Sequence, residues 1–129
     1  MYKYRILKSS WGIAIDIDLS IQEYIINNRN ETTKISENIY LYDKKKLTKQ
    51  CKNIIIKALK DYALIIRTNV PFPEIMVSLE GLEIILTDYQ DEGLYFAVQE
   101  CISEKIGVEK PEYEVFFEKE LNKYVFIKK

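Results

Sequence analysis

Trp11-Gly12-Ile13-Ala14-Ile15-Asp16-Ile17-Asp18-Leu19 decides how the rest of the chain is read. Trp11, Ile13, Ile15, Ile17 and Leu19 fall on one side of a period of two, and Gly12, Ala14, Asp16 and Asp18 on the other. Such alternation of β-branched with small or charged residues describes a strand with one buried and one wet face. Tyr2 to Leu7 alternates in the same way, and Lys8-Ser9-Ser10 is a suitable short connection, so these two stretches form a hairpin.

Outward from this hairpin, Ser20-Ile21-Gln22-Glu23 has the S-x-x-E spelling of a capping box and predicts a short helix over Ile21 to Asn28, with Leu19 and Tyr24 as its hydrophobic staple. Residues 27–38 are polar and aperiodic, which reads as a long mobile loop. Ile39 to Tyr42 makes a short strand. Residues 43–62 give the strongest helix. Leu47, Cys51, Ile54, Ile55, Ala58, Leu59 and Tyr62 recur at spacings of three and four, and Asn69 and Pro71 mark where any continuation stops. Residues 74–87 read as a hairpin turning at Glu80-Gly81. Thr87-Asp88-Tyr89-Gln90 opens a further helix to Ile106, closed by Gly107, and a last hairpin runs from Tyr113 to Ile127 around residues 120–122.

Hairpins dominate this order and no strand-helix-strand run demands a parallel core. The expected fold is therefore a single α+β domain over 1–129, a mainly antiparallel sheet with about three helices packed on it. The length, 129 residues, suits one domain with an adequate core. No apolar run reaches the roughly 18–20 residues of a membrane span, and charges interrupt the N-terminus where a leader peptide needs an apolar stretch. The expected location is the cytoplasm. Cys51 and Cys101, fifty positions apart on helical stripes, read as small buried hydrophobes.

The chain has no histidine. The commonest general base and the commonest zinc ligand are thus missing, and so is every Ser-His or Cys-His nucleophile. We therefore expect no catalytic residues, no metal and no cofactor. Asp16-Ile17-Asp18 is the most enzyme-like spelling, two carboxylates about 7 Å apart on one side of a strand. It resembles the aspartate pair of nucleotidyltransferases and of aspartyl phosphatases, which would imply a metal-dependent phosphotransfer or hydrolase domain. A strand precedes the pair here, where the first family has a Gly-Ser turn and a helix. The second family carries further Thr, Lys and Asp motifs that this length hardly accommodates. The plainer reading is the solvated face of a strand.

Net charge is −1, but residues 1–70 carry +6 and residues 71–129 carry −7. Such a split signals either an interaction surface or mutual attraction of the halves within one fold. Seven lysines surround the stripe of helix 43–62. With Tyr2, Tyr4, Tyr40 and Tyr42 they suggest a nucleic-acid- or ribosome-associated module using Lys45, Lys49, Lys52 and Lys60. A near-neutral chain with only three arginines argues against that. Ile56 falls among these lysines, and Phe96 points away from Leu94, Val98 and Cys101. Each either packs under a neighbouring element or anchors a partner, a second copy of the chain included.

The acidic half offers the better contact surface. Glu80, Glu83, Asp88, Tyr89, Asp91, Glu92, Tyr95 and Phe96 are the candidate partner-binding residues, combining carboxylates that steer a basic partner with aromatic anchors. Ten tyrosines add amphipathic groups at low entropic cost. Phe, Ile, Met, Asn, Lys and Tyr outnumber Gly, Ala, Arg and Pro by 60 to 14, which points to an AT-rich gene, the bias belonging either to the whole genome or to a mobile accessory gene, and a bacterial source is expected. These traits together predict a small protein-binding inhibitor, an immunity or antitoxin protein that covers the active site of a basic toxin domain. Known immunity proteins against nucleases are similar in kind, being small and often acidic; the expectation rests on character and not on a residue motif.

Overall fold

The computed structural model describes residues 1–25 and 31–129. Strand β1 (Tyr2–Leu7) pairs antiparallel with β2 (Gly12–Glu23), as the alternation requires. Ile13, Ile15, Ile17 and Leu19 are almost completely buried, whereas Asp16 and Asp18 lie on the wetter face.

The helix expected after Ser20 does not form over the described residues. Instead β2 continues to Glu23 beside β5 (Ile75–Ile84), Leu19 facing Leu79 and Glu23 facing Ile75. The Ser20 hydroxyl donates to Glu80 Oε1 at 3.0 Å in place of capping a helix, and Tyr24 packs on Tyr40 in place of stapling one. The capping-box spelling was satisfied across the sheet. The remainder of that expected helix, residues 26–28, lies outside the described residues.

The hairpin expected at Glu80-Gly81 is also corrected, because β5 runs through it unbroken. Inward positions change parity from Leu79 to Leu82, which reads as a turn. The register supplies another cause: Asp18 faces Gly81 and Leu19 faces Leu79, so Glu80 is an extra residue, a β-bulge. Gly81 lies close to the N-terminal side chain, and a Cβ there would sit 3.0 Å from Met1 Cε.

Part of the expected loop is strand β3 (Thr33–Ser36), which pairs with β4 (Ile39–Asp43). As an edge strand it is short and polar, so it carries little periodic signal. Residues 27–30 of that loop lie outside the described residues. Strand β4 pairs with β5 in parallel, the single parallel ladder among the described residues, in a sheet ordered β1-β2-β5-β4-β3. The intervening helices make the strand-helix-strand crossover that a fold of hairpins alone would lack.

Helix α1 covers Lys49–Asp61 and starts later than its lysine-rich stretch suggests. The Asp43 carboxylate accepts the backbone N–H groups of Lys45, Lys46 and Leu47, each at 2.9 Å, folding that segment into a turn. Thr48 then caps the helix by accepting from Cys51 N. After Tyr62 a short α2 (Ala63–Asn69) ends before Pro71, as expected.

Helix α3 (Asp91–Ile106) follows a 3₁₀ turn at Leu86–Asp88 in place of the expected cap at Thr87. Gly107 closes it with φ 71°, the left-handed conformation that suits glycine. Ten of its sixteen residues are buried, so it is a core helix rather than a surface one. One side packs on β2, where a Cβ on Gly93 would come within 2.8 Å of Ile13 Cγ2. The other side is covered by a separate two-stranded sheet, β6 (Tyr113–Glu118) and β7 (Lys123–Lys128). The result is an α+β fold with, among the described residues, seven mainly antiparallel strands and three α-helices.

Candidate functional site

The hairpin β6–β7 leaves a groove where it meets α1 and α3. Ile54 and Lys57 of α1, Asp91, Glu92, Tyr95 and Phe96 of α3, and Phe126 and Lys128 of β7 line a volume of about 460 Å³. Four of the eight sequence-derived partner residues, Asp91, Glu92, Tyr95 and Phe96, therefore meet in one place. A smaller hollow of about 320 Å³ continues past Tyr95 and Lys128 toward Glu109 and Pro111.

Phe96 is the floor of this groove and not an exposed anchor. It is only 4% exposed, stacked on Tyr113 at 3.9 Å and on Phe126 at 5.4 Å between ring centroids. Its off-stripe position is explained by the second layer that β6 and β7 lay over α3. Ile56 likewise packs against the core, half-buried. Tyr95 is 8% exposed and its ring meets Phe96 edge-on at 4.9 Å. The Tyr95 hydroxyl donates to Asp61 Oδ2 at 2.6 Å and accepts from Lys128 Nζ, whose ammonium also lies 4.5 Å from the ring centroid. Lys57 stands 3.4 Å from the same carboxylate. The Tyr95 hydrogen bond, helped by Lys57, holds the Asp61 carboxyl below its ordinary value, and the bond to Tyr95 raises Lys128.

At the other end Asp91 accepts from Gln50 Nε2 at 2.9 Å, and Glu92 is exposed. The groove thus has an apolar floor, a free acid at the start of α3 and an internally paired cationic wall. Lys57, Asp61, Phe126 and Lys128 were missed from sequence. They lie far from the acidic segment along the chain, and the off-stripe Phe96 was the sole hint of a covering layer.

The other candidates fall elsewhere. Glu80 sits on the opposite face of the large sheet, bound to Lys44 at 2.8 Å, which lowers its pKa. Glu83 pairs across from Asp16 on that same face. Asp88 ends the 3₁₀ turn, and Tyr89 packs on the core, burial raising its phenol. The acidic segment is therefore not one surface.

Asp16 forms an ion pair with Arg5 at 2.7 Å, and Asp18 lies 3.8 Å from Lys105. Among the described residues no group of three or more carboxylate, cysteine or histidine side chains is placed to hold a metal. Lys45, Lys49 and Lys60 are exposed, but Tyr4 is buried and Tyr2 donates to Glu100 at 2.5 Å, so neither joins Tyr40 and Tyr42 on an open face. A larger, polar basin of about 790 Å³ lies between β4 and α1, with part of its wall at Glu31, beside the stretch that is not described.

No helix among the described residues is long and apolar enough to cross a membrane. The fold and groove define a class: an α+β domain whose central helix is covered on both sides and notched at one edge. Compared with known proteins, the chain matches no family model, no curated protein and no solved structure.

Proposed function

We propose that the chain is a non-catalytic protein-binding domain, a cytoplasmic bacterial inhibitor or immunity protein that neutralises a toxin encoded by a neighbouring gene. The observation carrying this reading is the groove between α1, α3 and β7. Its floor of Ile54, Tyr95, Phe96 and Phe126 is apolar, and Asp91 and Glu92 line it at the start of α3. Interface energy concentrates where apolar pockets accept a partner anchor, while charge at the rim steers approach. A loop of a basic toxin domain would insert an apolar side chain over Phe96 and set a lysine or arginine against Glu92. The body of the domain would then lie across the toxin's cleft. Because Glu80 and Glu83 lie on the other face, the acidic contact is carried by Asp91 and Glu92.

The test is coexpression with the product of the adjacent open reading frame, followed by calorimetry. We expect one-to-one nanomolar association, weakened at least tenfold by Asp91→Lys with Glu92→Lys and abolished by Ile54→Lys. Absence of any association overturns the immunity reading. Nanomolar binding that survives the charge reversal overturns the acidic contact, and survival of Ile54→Lys overturns the groove.

A further inference from the structure

The β6–β7 hairpin has a second face that no other described element covers. Tyr113, Val115 and Phe117 of β6, with Tyr124 and Phe126 of β7, turn inward onto α3 and Trp11. The opposite parity presents Glu114, Phe116 and Glu118 on β6, and Lys123, Val125 and Ile127 on β7. Phe116 is 43% exposed and Ile127 46% exposed. Phe116 faces Val125 across the ladder, Glu114 faces Ile127, and Glu118 faces Lys123. Scattered exposed hydrophobes need no explanation, but these three adjoin as one apolar centre. Around that centre the charges are sorted by strand. The β6 row is acidic, and the β7 row is basic at Lys123 and again at Lys129, which reaches Glu114 at 3.0 Å.

We infer that this face packs against the same face of a second copy of the chain, about a two-fold axis parallel to the strands. Two axes in the plane of such a contact keep the strands of the two copies aligned. One running across the strands would stack β6 on β6 and bring Glu114 over Glu118 of the partner subunit, acid on acid. The axis parallel to the strands stacks β6 on β7. It sets Glu118 over Lys123 of the partner subunit and Phe116 over Val125 of the partner subunit, twice by symmetry. Of the two, only the parallel axis sets a carboxylate over an ammonium, while Glu114, held by Lys129 of its own chain, lies over Ile127 of the partner subunit. Two strands of six residues present less than the roughly 800 Å² per partner of a stable interface, so the dimer is weak, reversible and salt-sensitive. This goes beyond the proposed function, and none of the residues involved lines the groove.

Sedimentation of the full chain over a concentration series tests it. The mass should rise from 15.3 kDa toward twice that value, and less steeply in high salt. Phe116→Lys should remain monomeric with an unchanged circular-dichroism melt; if it fails to fold, Ile127→Lys makes the same measurement. Glu118→Lys and Lys123→Glu should each abolish self-association, and mixing the two variants should restore a dimer. In the mixed dimer every contact between chains joins opposite charges, while the cross-strand pair within each chain stays like-charged, so an effect internal to the hairpin cannot produce that rescue. A chain that stays monomeric to millimolar concentration, a dimer that survives Phe116→Lys, or a mixture that does not associate overturns the inference.

Discussion

Tyr95 ties two charges of opposite sign at the groove wall. Its hydroxyl gives a proton to the Asp61 hydrogen bond and receives one from Lys128, so each charge is better stabilised than in the unfolded chain. The carboxyl of Asp61 is lowered from 3.8, and its contribution is present above that value and lost as pH falls. The ammonium of Lys128 is raised from 10.5, and its contribution is present below that value and lost as pH rises. Tyr95→Phe removes the largest cause of both shifts while keeping the ring on Phe96. By NMR titration the Asp61 carboxyl should move up toward 3.8 and Lys128 down toward 10.5. The stability deficit of the variant should be greatest between about pH 4 and pH 10 and shrink outside that range. Titrations identical to the parent chain would show that the hydroxyl does not couple the pair.

At the scale of elements, Gln90 joins the start of α3 to the hairpin. Its amide donates to the Tyr124 carbonyl at 2.6 Å and accepts from Tyr124 N at 2.9 Å, as a neighbouring strand would. Tyr124 is fully buried, and its own hydroxyl donates to Trp11 O at 2.6 Å. Gln90→Ala leaves both backbone groups unpaired at a cost of about 1–3 kcal/mol. Hydrogen exchange should accelerate over 113–128 first, with β2 and β5 still protected; uniform acceleration would argue against a separately anchored hairpin. Most elements were legible in sequence because their periods are local: β1, β2, α1, α3 and the last hairpin. Two of the misreadings share one cause. Ser20-x-x-Glu23 and Glu80-Gly81 have spellings that a helix cap or a turn would use, and long-range pairing of β2 with β5 decided otherwise. Half of the groove was legible in the same way, as Asp91, Glu92, Tyr95 and Phe96 lie within six positions. Ile54, Phe126 and Lys128 were not, since nothing local says which face α3 turns to α1 and β7.

For the whole molecule, the charge split of +6 and −7 is partly spent inside the fold. Lys44 with Glu80 joins a base of the first half to an acid of the second, whereas Lys105 with Asp18 and Lys128 with Asp61 join the halves with the opposite polarity and do not reduce the split. These pairs are solvent-exposed in part and contribute little individually. What binds the layers is α3, packed on the sheet at Gly93 and under the hairpin at Phe96. A chain ending at Gly107 would uncover Phe96, Tyr95 and the inner end of Trp11. We expect it to keep helical circular dichroism, bind a hydrophobic dye and lose its cooperative thermal transition. A sharp transition in the shortened chain would mean that sheet and helices form a sufficient core alone.

The sequence by itself determined the α+β class, the positions of the strongest strands and helices, and the missing histidine, all of which follow from local periodicity and composition. Tertiary structure alone decided that β5 is one bulged strand, that β4 lies parallel to it, that α3 is covered on both sides, and that the acidic residues divide between two faces. Local patterns set which side of an element is apolar. Which apolar sides meet depends on contacts between residues distant in the chain, and a single sequence does not record them.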